Sequence, residues 1–192
     1  MALLEGDRLL AGDMRVLGRG HAEHLVPMIA ALPGRGKADR VAVALGPGSF
    51  TGVRVGLAAA RALAFAWDAA LVGYPTLALV AAMARAERGN VPVAVVMTGG
   101  HGEWFVQRYD EHGQANAPVA SMNPAEATGC AADRIVAGSQ AAALVALRGN
   151  GESLDVLPDA RAFQMLAESD LTSAVSPIYG RAPDARLPGV AA

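Results

Sequence analysis

The stretch Gly46 to Gly52, GPGSFTG, gathers the groups of this chain best placed to do chemistry. Glycines at Gly46, Gly48 and Gly52 accept positive φ without a Cβ penalty, and Pro47 fixes one φ among them. A glycine loop running from a strand into a helix N-terminus offers free N–H groups and a favourable dipole to an anion. The spacing departs from two phosphate-loop patterns. For G-x-x-x-x-G-K-[ST] there is one residue too many between Gly46 and Gly52, and Val53 stands where lysine is required. For G-x-G-x-x-G the third glycine position holds Thr51. Two readings stay open for Gly46, Gly48, Ser49, Thr51 and Gly52: an unusual phosphate loop, or a tight turn that packs a helix onto a sheet.

The other reactive residues form no set. Ser49 lies at a strand-to-helix turn, but GPGSFTG is not G-x-S-x-G and no histidine is expected beside it. His21 and His24 are three residues apart on one helix with no third ligand near in sequence, so no metal is expected. Cys130 is the single cysteine, which excludes an internal disulfide and a cysteine-rich zinc site. The chain has 16 basic and 18 acidic residues and a net charge of −2, with no basic block, so tight RNA binding by this chain alone is not expected.

The elements that must position these groups alternate between strand and helix. Met1 to Leu17 reads as strand, turn, strand, reversing at Gly6-Asp7. His21 opens a helix to Leu32 in which Leu25, Met28, Ile29 and Leu32 form an apolar stripe around Pro27. Val41 to Leu45 reads as a strand buried on both faces, leading into the glycine loop. The helix from about Gly52 to Trp67 has Ser49 and Thr51 as N-cap candidates. Its small residues, among them Gly56, Ala59 and Ala60, leave few large side chains to hold a neighbour apart. Gly56 costs about 1 kcal/mol of helix propensity relative to alanine, so either a close-packed helix or an approaching ligand would use the missing side chain.

Ala70 to Gly73 is expected as a strand, with Thr76 capping a helix from Leu77 to Arg88. Gly89-Asn90 marks a lobe boundary, dividing the chain into residues 1–88 and 89–192. The second lobe reads as a hairpin of Val91 to Met97 and Glu103 to Tyr109, a short strand at 119–122, a helix at 124–131, a strand at 134–137, a helix at 140–147, a strand at 154–157 and a helix at 158–168. Strands alternating with helices at this spacing imply an α/β fold with mixed sheets. Hydrophobic residues make up 53% of the 192, yet Arg54 and Arg61 interrupt the longest apolar candidate and Glu5 and Asp7 stand where a leader would be apolar. The expectation is a soluble, cytoplasmic protein with no membrane contact.

The ungapped run Gly46-Pro47-Gly48-Ser49-Phe50-Thr51-Gly52-Val53-Arg54-Val55-Gly56 resembles the signature of the TsaB (YeaZ-like) family, GPGSFTG followed by one residue, Arg, one residue and Gly. The closing Pro177, Tyr179 and Arg181 match the family's Pro, apolar, Tyr, any residue, Arg element. The resemblance implies an actin-like ATPase (RNase H-like) fold of two small lobes. It also implies an earlier strand with an Asp-Thr phosphate loop. The sequence given starts inside the next element, so the N-terminal strand is expected to be missing. At Thr98 to Gly102 the family's Asp-Ala-Arg turn is replaced, with Thr98 and Gly100 at its Asp and Arg positions.

TsaB proteins take part in making N6-threonylcarbamoyladenosine at position 37 of tRNAs reading ANN codons. The resemblance implies a non-catalytic subunit that binds and supports TsaD in threonylcarbamoyl transfer, with a TsaE-type ATPase joining and tRNA held through the complex. No cofactor is expected, beyond ATP or ADP at the complex interface. The partner-binding candidates are His21, Leu25, Met28 and Ile29 on the first helix and Arg54, Gly56, Ala59, Ala60 and Leu63 on the second. The alternatives are an actin-like nucleotide-binding phosphotransferase or ATPase, a glycoprotease-like peptidase homologue, and a homodimer using the same helices.

Overall fold

The computed structural model describes residues 1–17 and 20–180. The first half holds a hairpin of β1 (Ala2–Glu5) and β2 (Arg8–Gly12), then α1 (His21–Ala30), β3 (Arg40–Ala44), α2 (Phe50–Trp67), β4 (Ala70–Tyr74) and α3 (Thr76–Arg88). The second holds β5 (Val93–Thr98), β6 (Trp104–Tyr109), β7 (Ala120–Met122), α4 (Pro124–Cys130), β8 (Ile135–Ala137), α5 (Ala141–Arg148) and β9 (Glu152–Leu154), followed by short 3-10 turns at Ala160–Met165 and Glu168–Asp170.

Among the described residues the strands form three sheets. β1 and β2 pair antiparallel, β3 and β4 pair in parallel, and the remaining five run in the order β7-β6-β5-β8-β9. In that five-stranded sheet β5 is antiparallel to β6 and parallel to β8. Side chains of a strand alternate between faces, and here both faces are covered. Val93 and Val95 pack with Leu77, Val80 and Ala84 of α3 on one side. Ala94 and Val96 pack with Ala127 of α4 and Ala141 and Leu144 of α5 on the other. At about 25 cal/mol per Å² of apolar surface removed from water, this two-sided burial is the main favourable contribution to folding.

The first half is built differently. β3 was expected to be covered on both faces, but Ala42 is exposed and Val41, Val43 and Ala44 are half-buried. Among the described residues β3 pairs with β4 alone, and α2 lies against it. Leu57, Ala60 and Ala64 are the buried residues of α2, spaced to form the stripe turned to the protein interior. None of the 10 residues of α1 is buried, and Pro27 lies inside it.

Three local expectations are corrected. Thr76 is the first residue of α3 and not its cap, since Pro75 holds the N-cap position with no side-chain bond. The strand expected at 154–157 is Glu152–Leu154, placed by parallel pairing with β8. The helix expected at 158–168 is a 3-10 turn, Ala160–Met165, that Asp159 starts by accepting a hydrogen bond from the Arg161 N–H. Its Phe163 ring meets Tyr74 edge-on, with centroids 5.5 Å apart. Burial pushes the Tyr74 phenol up to about 12, with the Asp159 charge adding to the effect. No helix among the described residues is long and apolar enough to cross a membrane.

Candidate functional site

The glycine loop joins β3 to α2 as the sequence implies. Ser49 is the N-cap, its Oγ accepting from the Gly52 N–H at 3.3 Å, so one of the helix's four orphan donors is satisfied by the motif's own serine. Gly46 is buried with φ 100, and a Cβ there would stand 2.8 Å from the Ile178 carbonyl oxygen. Only glycine fits that approach. Gly48 and Ser49 are exposed. Thr51 is also exposed, in the first turn of α2.

Arg54 lies across the Phe50 ring, its Cζ 3.6 Å from the centroid, and is 5.8 Å from the centroid of Tyr179. Its Nε and Nη2 both donate to the Tyr179 hydroxyl at 3.2 Å. The two rings are 5.9 Å apart. Phe50 and Tyr179 are 58% and 47% exposed, so a guanidinium stacked on one ring and bonded to the hydroxyl of the other sits on the open surface. Arg181, the third residue of the closing pattern, lies outside the described residues.

The two helices named as a partner face are neighbours. The His21 Cδ2 is 3.9 Å from where a Cβ of Gly52 would stand, so α1 starts beside the first turn of α2. Gly52, Gly56, Ala59 and Leu63 recur every three or four residues and share that flank. A Cβ on Gly56 would meet nothing closer than Val43 Cγ2 at 3.9 Å, an ordinary contact. No atom of α1 stands within 4 Å of that position, and Gly56 itself is half-buried. Ala59 and Leu63 are half-buried, Arg54 is exposed, and Ala60 is buried at 6% exposure.

On α1, His21, Leu25, Met28 and Ile29 are half-buried. A recess of about 310 Å³ opens between α1 and β2, lined by Gly12, Asp13, Arg15, His24, Met28 and Leu32 among others. Val26 and Phe65 are 62% and 92% exposed. Among the described residues no three of His, Cys, Asp and Glu gather as metal ligands.

The turn Thr98 to Gly102 closes the β5–β6 hairpin, with positive φ at His101 and Gly102. Thr98 is tied to the loop after β8: its N–H donates to Ser139 Oγ at 3.0 Å and its Oγ1 accepts from Gln140 Nε2 at 2.8 Å. The polar groups at this end of the sheet are thus engaged with one another. Sequence reasoning missed two ionic features of the second half. Arg108 grips Asp133 through two bonds of 2.6 and 3.0 Å, and that contact raises the Arg108 pKa. Arg88 bridges Glu87 and Glu152, each at 2.6 Å. The missing signal was the strand order β7-β6-β5-β8-β9, which no spacing rule supplies.

The five-stranded mixed sheet flanked by helices, together with the structural matches that follow, gives the chain the actin-like, RNase H-like ATPase fold. A family model described as TsaD, tRNA N6-adenosine threonylcarbamoyltransferase, matches residues 15–162. The structure of YeaZ from Pseudomonas aeruginosa superposes with a TM-score of 0.74 at 28% identity, covering 93% of this chain and 92% of that one. A second structure from that organism, described as an uncharacterized protein with similarity to peptidase YEAZ, gives 0.71 at 26% identity and 87% of each chain. The tRNA threonylcarbamoyladenosine biosynthesis protein TsaB of Escherichia coli (strain K12) is 33% identical over 57% of this chain and 51% of its own length. That match spans about half of the curated relative. The chain belongs to the family that the matching model describes, and within it to the TsaB (YeaZ-like) proteins.

Proposed function

We propose that this chain is a non-catalytic subunit of the machinery that makes N6-threonylcarbamoyladenosine at position 37 of tRNAs reading ANN codons. Its task is to bind a TsaD-type threonylcarbamoyltransferase and support transfer to adenosine. The observation that carries the reading is the state of α1, a 10-residue helix with an apolar stripe and no buried residue, beside an α2 whose half-buried Gly56 would bring a Cβ within 4 Å of no α1 atom. Burying a half-exposed apolar stripe against a partner is favourable in proportion to the area covered. The partner face comprises His21, Leu25, Met28 and Ile29 with Arg54, Gly56, Ala59 and Leu63, while the buried Ala60 supports it from within. A TsaE-type ATPase joins the assembly, tRNA is held through the complex, and ATP or ADP sits at most at the interface. The setting is the cytoplasm.

Reconstitution tests the proposal. With purified TsaD-type enzyme, a threonylcarbamoyl donor and tRNA, adding this chain should raise modified adenosine at least tenfold, while the chain without the enzyme forms none. Product formed by this chain alone would overturn the non-catalytic reading. An enzyme indifferent to the chain would overturn the supporting one.

A further inference from the structure

The segment from Leu171 to Gly180 follows the five-stranded sheet in sequence but returns to the first half of the molecule, touching it at four places. Gly73 of β4 and Thr172 exchange two backbone hydrogen bonds, of 2.8 and 2.9 Å, as an isolated antiparallel bridge. Arg61 Nη2 donates to the Val175 carbonyl at 2.7 Å. The Ile178 N–H donates to the Leu45 carbonyl at 2.7 Å, at the end of β3 where the glycine loop begins. Tyr179 then takes both donors from Arg54. The last described residue reaches the second half again, since a Cβ on Gly180 would stand 2.6 Å from Phe105 Cδ1 and 3.5 Å from Pro47 Cβ.

We propose that Leu171–Gly180 is a strap that fixes the N-terminal end of α2 against the five-stranded sheet, and that Tyr179 is a positioning residue for Arg54. An exposed arginine has many rotamers, and ordering it carries an entropic cost that a preformed contact removes from binding. Stacking on Phe50 and two bonds to one hydroxyl hold the guanidinium in one place, and Nη1 takes no part in either bond. The strap itself rests mainly on backbone bonds at Gly73 and Leu45, so a change at its far end would shift α2 without breaking either core. Resting on the proposed function, the strap couples the α2 docking face to the second half of the chain.

The test uses the full chain in two arms. The first needs no partner: hydrogen exchange and NMR of the wild type, Tyr179→Phe and Tyr179→Ala. The wild type should protect the amides of Gly73, Thr172 and Ile178. Tyr179→Ala should speed exchange across residues 50–56 by about tenfold while β5 and β8 stay unchanged. Tyr179→Phe should keep that protection and shift only the Arg54 Nε–H resonance. Unprotected Thr172 and Ile178 amides in the wild type, or an unmoved Arg54 signal in Tyr179→Phe, would overturn the strap. In the second arm, Tyr179→Ala should bind the TsaD-type enzyme about tenfold more weakly than the wild type. Equal binding would overturn the coupling, whereas a wild type that binds no enzyme would overturn the proposed function and leave the first arm to decide the strap.

Discussion

Val93, Ala94, Val95 and Val96 of β5 are fully buried, whereas no residue of α1 is. The contrast runs through the two halves. The five-stranded sheet is covered by α3 on one face and by α4 and α5 on the other, so its strands contribute side chains to two cores. The first half has two-stranded sheets, a half-buried β3 and an α1 that keeps its apolar stripe partly in contact with water. The five-stranded sheet is closed on both faces, one of them by α3 of the first half, whereas α1 keeps its apolar stripe half-buried. Under the proposed function, the five-stranded sheet and its helices carry most of the stability and the α1–α2 surface carries the recognition.

Substitutions in the two halves should therefore differ in kind. The largest loss is expected for Leu144→Ala: the side chain is fully buried between α5 and the sheet, and removing it should cost about 2–5 kcal/mol in denaturant unfolding. Val26→Ser, on the exposed side of α1, should stay within about 0.5 kcal/mol of the wild type. Equal losses at both sites would erase the contrast.

Glycines sharpen it further. Gly138 has φ 114, and a Cβ there would meet the Val96 carbonyl oxygen at 2.4 Å, so Gly138→Ala should destabilise by about 1–3 kcal/mol. Gly56→Ala should do the reverse. It meets only ordinary contact within the chain and gains helix propensity, so unfolding should show up to about 1 kcal/mol of added stability. The same methyl should weaken enzyme binding about tenfold if a helix packs against Gly56. A variant both more stable and equally well bound would remove Gly56 from the docking face.

The smallest expected effect concerns how the β1–β2 hairpin is held. Asp159 accepts from the Arg161 side chain and backbone N–H, and these bonds lower its pKa below 3.8 against the opposing effect of burial. Since the folded-state value is depressed, this contribution is present above pH 3.8 and is lost as pH falls through the lower folded value. Asp170 acts oppositely, because burial raises its carboxyl and its charged form is disfavoured in the folded state. The melting-temperature difference between wild type and Asp159→Asn isolates the first effect. It should favour the wild type near neutrality and shrink below pH 3.8; a difference independent of pH would contradict it.

Local chemistry was the legible part of this chain. The glycine loop, Ser49 as the cap of α2, the hairpin reversal at Gly6-Asp7 and the order of strands and helices could be read from short-range pattern. The continuous apolar run of Val93 to Val96 reads as a buried strand, but which helices cover each face depends on long-range packing that no short pattern carries. Ala160–Met165 reads as helical because its apolar spacing resembles one, yet Asp159 and the Tyr74–Phe163 contact hold it as a 3-10 turn. The partner of Arg54 lies 125 residues away, and only the returning tail brings Tyr179 to it. Gly56 was conspicuous from composition alone, but whether its flank is covered depends on where α1 leaves α2.

The central claim is that the α1–α2 surface exists to be covered by a TsaD-type enzyme. Size-exclusion chromatography with light scattering of the two proteins mixed is its most direct test. The account predicts one peak with the mass of a one-to-one complex, lost when Met28→Asp and Gly56→Leu are combined in a chain that still folds. Two separate peaks for the wild type, or a complex indifferent to that double change, would contradict it.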